Sequence, residues 1–114
     1  RASGQWLCGK TYDGFGPIGP YAVDAESLPT GGLGISCRVN GELRQNSNTK
    51  YLLHSISEII AELSQGMTLL AGTIIATGTP AGVGMGFDPP KFLKSGDVVT
   101  CEIEKIGRLT NMVK

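Results

Sequence analysis

A lysine, a threonine-glycine loop, one histidine and several carboxylates are the groups in this sequence that could do chemistry. Lys10 sits among glycine, aromatic and proline residues in Gly9-Lys10-Thr11-Tyr12-Asp13-Gly14-Phe15-Gly16-Pro17, a setting where an ordered, functional lysine can stand. On loop position alone a solvated surface lysine is the simpler reading, because lysine is almost never fully buried. The stretch Thr77-Gly78-Thr79-Pro80-Ala81-Gly82-Val83-Gly84 follows an apolar run. Where a strand end opens into glycines, backbone amides can approach a carboxylate or phosphate, and a threonine hydroxyl adds a donor. It is not a P-loop or a dinucleotide fingerprint: no Gly-Lys-Ser/Thr follows, and Pro80 has no N–H. A tight turn without a ligand is the equal alternative.

His54 is the single histidine, with Ser47, Ser55 and Ser57 close in sequence. A serine-type triad would need it, yet no G-x-S-x-G elbow exists. It stands just before a helix start, where a positive charge meets the unfavourable end of the helix dipole. A neutral structural or surface histidine is therefore expected. Among the carboxylates Asp88, Asp97, Glu102 and Glu104, the Glu102-x-Glu104 pair falls on one face of a strand. Without a third ligand in pattern, that face reads as solvated rather than as a metal site.

The elements that must position these groups are short and punctuated by turns. Residues 1–20 hold too much glycine and proline for a helix and read as an ordered loop leading into a strand at Tyr21 to Val23. Gly34 to Val39 alternates apolar and polar residues, Asn40-Gly41 follows, and Glu42 to Gln45 resumes. Asn-Gly between alternating runs predicts a two-residue hairpin turn, since both central residues need positive φ. Ser55-x-x-Glu58 is a capping box opening a helix over 55–65, with Ile56, Ile59, Ile60 and Leu63 on the face that would pack on a sheet and Gly66 as its stop. Thr73 to Thr77 is a β-branched run expected to be a central strand. Val98 to Glu104 alternates, Ile106-Gly107 turns, and Arg108 to Val113 returns as a last strand.

Composition narrows the classes. At 114 residues the chain is one domain at most, and one of this size can build a single core without staples. Hydrophobic residues make up 40% and charged residues 18%, outside the corner where disorder lives. Ten basic residues balance ten acidic ones, which leaves no basic stripe for nucleic acid. No apolar run approaches the roughly 18 residues that a membrane span needs. The thiols Cys8, Cys37 and Cys101 are widely spaced with no CxxC and read as reduced intracellular cysteines. Seventeen glycines, about twice the usual frequency, punctuate short apolar runs as in a mostly-β domain.

The run Gln5-Trp6-Leu7-Cys8-Gly9-Lys10-Thr11-Tyr12-Asp13-Gly14-Phe15-Gly16-Pro17-Ile18-Gly19-Pro20 resembles a segment of the fumarylacetoacetate hydrolase family. Further segments follow in that family's order: Val39-Asn40-Gly41-Glu42 with Gln45 and Thr49, then Thr77-Gly78-Thr79-Pro80-x-Gly82-Val83-Gly84, then Leu93-Lys94-x-Gly96-Asp97 with Glu102-Ile103-Glu104 and Gly107. The domain-containing 2 group of that family, with its fungal and bacterial relatives, shares most of the pattern.

The resemblance implies a mainly-β (α+β) fold, a layered β-roll with one short helix, and a homodimeric enzyme, mitochondrial or cytoplasmic, without nucleic-acid or membrane partners. It implies hydrolysis, decarboxylation or keto-enol isomerisation of small 2-oxo or β-diketo acids, oxaloacetate or an acylpyruvate among them. A bound Mg²⁺ (or Mn²⁺ or Ca²⁺) would stabilise the enolate. The family's catalytic lysine falls on Lys10, to neutralise developing charge, and its carboxylate-donating threonine on Thr79, with Gly78 in the adjoining wall. The family's metal ligands precede the Gln-Trp motif and are expected outside this chain. Residues 1–114 thus read as the C-terminal portion of a single catalytic domain, inactive alone. The alternative is a non-catalytic binding or dimerisation fragment of such an enzyme.

Overall fold

In the computed structural model, which describes residues 10–114, four strands form one antiparallel sheet in the order β2-β1-β3-β4. These are β1 (Gly34–Val39), β2 (Glu42–Asn48), β3 (Val98–Ile103) and β4 (Gly107–Met112), with one helix, α1 (Ile56–Gly66), between β2 and β3. Cys8 and the Gln5-to-Gly9 part of the Gln-Trp motif lie outside the described residues.

The β1–β2 hairpin turns at Asn40 (φ 51°) and Gly41 (φ 82°), the left-handed pair that a two-residue turn demands. Asn40 does more than turn. Its side-chain amide donates to Asp97 Oδ1 at 2.9 Å, its side-chain oxygen accepts from Val98 N–H at 2.8 Å, and its backbone N–H donates to Val98 O at 2.8 Å. Asp97 Oδ2 in turn accepts from Lys94 N–H at 2.8 Å. The hairpin tip is thereby tied to the entrance of β3, and two motifs far apart in sequence form one clamp. Asn40 holds the Asp97 carboxyl below its ordinary value, with the Lys94 N–H adding to the effect.

Register alternation sorts the sheet into two faces. Ile35, Cys37 and Val39 lie with Val99, Cys101, Ile103 and Leu109 on an apolar face, while Ser36, Arg38, Thr100, Glu102, Arg108 and Thr110 lie on the other. On that polar face Arg108 Nε meets Glu102 Oε2 at 2.9 Å, and the Thr100 and Thr110 hydroxyls are 3.1 Å apart. Glu104 Oε2 accepts from Gly34 N–H at 3.0 Å, so both members of Glu102-x-Glu104 serve the sheet. In β2 the register slips: Gln45 pairs with Cys37 but Leu43 with Arg38, leaving Arg44 as the extra residue of a β-bulge.

The helix starts as its capping box requires. Ser55 N–H donates to Glu58 Oε2 at 2.7 Å, and Glu58 N–H to Ser55 Oγ at 3.2 Å. Gly66 is its last residue and Met67 caps it.

Several sequence expectations are corrected. Tyr21 to Val23 and Thr73 to Thr77 pair with no strand among the described residues. The β3–β4 turn is centred on Lys105 (φ 64°), with Ile106 N–H donating to Ile103 O at 3.1 Å. The helix does not lay its apolar face on the sheet: Ile56 and Ile60 are exposed, and its contacts with the strands are marginal. Nor is there a full core, since Leu33 and Val39 are the hydrophobic residues buried among those described, each 8% exposed.

Candidate active site

The glycine loop after Thr77 lies across β2, and two features hold it there. Gly82 (φ 102°) approaches the backbone so closely that a Cβ would run into the Arg44 carbonyl oxygen. Glycine is required here by both space and dihedral. Beside it, Gln45 uses its side-chain amide twice, donating from Nε2 to Thr79 Oγ1 at 2.8 Å and to Pro80 O at 2.8 Å. The bulge at Arg44 and the amide of Gln45 together fix the loop's position over the strand.

This arrangement sets the Thr79 hydroxyl. Its oxygen accepts from Gln45, which leaves the hydroxyl's own hydrogen to donate. Thr79 is exposed, at the wall of a groove of about 370 Å³ that Gly78, Thr77 and Pro80 line with it. Ile35, Leu52 and Ile59 supply apolar surface, and Ser47, Thr49 and His54 the polar remainder. Thr49 is committed to structure: its hydroxyl accepts from Leu33 N–H at 2.8 Å and its N–H donates to Leu33 O at 2.9 Å. A second hollow, at the C-terminal end of α1 between Ile60 and Leu69, is lined by no titratable side chain.

The far flank of the loop is closed electrostatically. Glu42 Oε1 meets Lys91 Nζ at 2.7 Å and Glu42 Oε2 meets Arg44 at 3.2 Å. Both cations also lie over the Phe87 ring, Lys91 at 4.9 Å and Arg44 at 5.3 Å from its centroid. The Lys91 bond, followed by the charge of Arg44, holds the Glu42 carboxyl below its ordinary value.

Of the residues singled out from sequence, the fold brings Gly78 and Thr79 to the groove wall. Lys10 stands exposed at the start of the described residues and does not line that groove. His54, read from sequence as structural or surface, is exposed on the groove lining with Ser47, while Ser55 is spent on the helix cap. Gln45 is the residue whose role the sequence did not disclose. A contact across 34 positions leaves no local signal. For a divalent cation, the described residues do not fit: no three histidine, cysteine, aspartate or glutamate side chains among them converge. Asp97, Glu102, Glu104 and Glu42 are each engaged elsewhere.

What the site can do is present a fixed hydroxyl donor, on a glycine-shaped wall, to an anionic oxygen in a partly apolar groove. The family model described as fumarylacetoacetate (FAA) hydrolase C-terminal matches residues 1–114. The chain belongs to the fumarylacetoacetate hydrolase family. It is 50% identical over 114 residues to the mitochondrial oxaloacetate tautomerase Fahd2a of Rattus norvegicus, covering 99% of this chain and 36% of the relative. Against the oxaloacetate tautomerase YisK of Bacillus subtilis it is 50% identical over 110 residues, 96% of this chain and 36% of that one. Among solved structures, the fumarylacetoacetate hydrolase of Exiguobacterium antarcticum superimposes with a TM-score of 0.90 at 50% identity, over 94% of this chain and 39% of its own. The maleylpyruvate hydrolase of Sphingobium does so at 0.79 and 39% identity, over 90% and 36%. The fold is that of the fumarylacetoacetate hydrolase family, and this chain spans about a third of the length of the curated relatives it matches. Among the described residues no helix is long and apolar enough to cross a membrane.

Proposed function

We propose that this chain forms the carboxylate-holding wall of an enzyme that hydrolyses or tautomerises small 2-oxo or β-diketo acids, oxaloacetate or an acylpyruvate among them. The observation that supports this is the Thr79 hydroxyl, oriented by Gln45 so that its hydrogen is left to donate at the groove. The kinship adds to it, since relatives carry the names oxaloacetate tautomerase and maleylpyruvate hydrolase. In this reading the substrate carboxylate accepts from Thr79, and Gly78 keeps the wall free of side chain. Moving a proton between the substrate's C3 and its 2-oxo oxygen builds enolate charge; the family resemblance gives its neutralisation to Lys10, which lies outside the Thr79 groove and would have to be brought to it. A fixed charge placed where charge develops is the arrangement that gains most in a site shielded from water. Mitochondrial or cytoplasmic placement and a homodimer belong to the same reading. The exposed apolar side chains away from the sheet, Leu53, Leu70 and Phe92 among them, support a covering partner surface.

The test is the rate at which enol-oxaloacetate absorbance decays, measured for the whole enzyme that carries this chain and for its Thr79→Val and Lys10→Ala variants. A hydrogen bond to a charged group is worth about 1.5–3 kcal/mol, so Thr79→Val lowers kcat/KM about 10- to 100-fold at an unchanged urea midpoint. Lys10→Ala loses about 100-fold or more, the scale of one electrostatic donor. Undiminished rates in both variants overturn the assignment. The second reading, a non-catalytic binding or dimerisation module, is motivated by the described residues bringing together no set of metal ligands. It stands instead if the whole protein shows no turnover and calorimetry finds no divalent-cation binding, and stoichiometric cation binding refutes it.

A further inference from the structure

Cys37 on β1 and Cys101 on β3 are directly opposed in the ladder. The bonds flanking them fix its phase. Asn40 N–H donates to Val98 O and Glu104 N–H to Gly34 O, each at 2.8 Å. Hydrogen-bonded pairs therefore fall at Gly34 with Glu104, Ser36 with Glu102, Arg38 with Thr100 and Asn40 with Val98. Cys37 and Cys101 occupy a non-hydrogen-bonded pair between them. At such positions the Cα atoms approach to about 4.5 Å and the side chains lean together, within the roughly 4.4–6.8 Å that a disulfide spans. Both side chains fall on the apolar face, and both are free thiols, Cys37 half-buried and Cys101 exposed.

We propose that Cys37 and Cys101 are a dithiol modification site, which closes to a cross-strand disulfide by exchange with a small-molecule disulfide such as glutathione disulfide. The exposed Cys101, as its thiolate, attacks one sulfur of the glutathione disulfide. That S–S bond breaks, a mixed disulfide forms on Cys101, and one glutathione thiolate leaves. Cys37 then loses its proton, and its sulfur displaces the second glutathione from Cys101 as the Cys37–Cys101 bond forms. Two protein thiols are oxidised, one glutathione disulfide is reduced to two thiols, and those two take up the two protons. The order follows from access, because the half-buried Cys37 is the poorer target for a tripeptide and needs only its facing neighbour. Cys37 also faces Gln45 across β1–β2, so the new bond lies one side chain away from the donor that holds Thr79.

The experiment incubates the purified protein with glutathione disulfide, quenches with N-ethylmaleimide and maps the peptides by mass. The expected product is a Cys37–Cys101 linked peptide, reversed by dithiothreitol. In Cys37→Ser, glutathione stays on Cys101 in about tenfold excess over the parent protein, because the displacing thiol is gone. A second measurement needs no variant: phenylarsine oxide, which bridges paired thiols, protects both cysteines from N-ethylmaleimide together. Linkage of either thiol to Cys8, glutathione retained on both at once, or both left unmodified while Cys8 reacts would each overturn the proposal.

Discussion

Gln45 is the side chain whose loss most directly tests how the Thr79 loop is held. Both hydrogens of its Nε2 are in use, at 2.8 Å to Thr79 Oγ1 and 2.8 Å to Pro80 O. Methionine is close in length and supplies neither donor. A neutral hydrogen bond contributes about 1 kcal/mol net, less where water can replace the partner. Thr79 is exposed and water can reach its oxygen, whereas Pro80 is half-buried and its carbonyl loses more. Together they put Gln45→Met at about 1–2 kcal/mol of loop stability, a factor of about 5 to 30 in the opening equilibrium. Amide hydrogen exchange over 77–83 reads that factor directly, as local opening rather than global unfolding. Gln45→Glu sharpens the test, because at neutral pH a carboxylate faces the Pro80 carbonyl, acceptor against acceptor. That repulsion raises the new group's folded-state pKa above its unfolded value of about 4.3. Its penalty is therefore absent below that value and grows as pH rises through the folded pKa. Exchange over 77–83 unchanged in Gln45→Met, with no pH dependence added in Gln45→Glu, would refute the account of the loop.

Gly82→Ala drives a Cβ into the Arg44 carbonyl oxygen and forces φ of 102° on an L-residue. The dihedral alone costs about 1–2 kcal/mol, so calorimetry should show a lowered Tm, and an unchanged one removes the close approach from the argument. Asp97 has a folded pKa below its unfolded value because Asn40 and the Lys94 N–H favour the charged form. Its stabilising contribution is present above the unfolded value and is lost as pH falls through the folded one; Asp97→Asn should flatten that acid limb in urea titrations. Burial, with the Cys101 thiol beside it, pushes Cys37 up to about 11. Iodoacetamide labelling of Cys37 should accelerate from neutral pH toward that value, and Cys101→Ser should move the profile to lower pH.

What the sequence disclosed and what it concealed divide along the range of the interactions. The Asn40-Gly41 turn, the Ser55 cap and the alternation of Val98 to Ile103 are written in adjacent residues, and the structure has them all. The run Thr73 to Thr77 carries β-branched residues, but a strand also needs a partner edge, and the run pairs with neither edge of the described sheet, β2 or β4. The exposed edge strand β2 is instead crossed by the glycine loop at Arg44. Apolar content likewise suggested a core, yet content does not say which surface covers it, and Leu53 is 95% exposed. Thr79 and Gly78 stood out because glycines after an apolar run are a local pattern. Gln45 stood in a segment resembling the family but without a role, since its partner is brought to it only by folding.

The bulge at Arg44 has a consequence for how this stretch can vary. In a regular strand Glu42 and Gln45, three positions apart, would point to opposite sides of the sheet. The extra residue cancels the odd spacing, so Glu42 pairs with Val39 and Gln45 with Cys37, and both share a face with the crossing loop. One side chain thus anchors Lys91 and the other anchors Thr79. The count of residues between the Asn-Gly turn and Gln45 behaves as a reading frame. Substitutions within it alter one contact each, but a single deletion keeps both anchors on one side only by removing the bulge, and with it the Arg44 carbonyl on which Gly82 is seated.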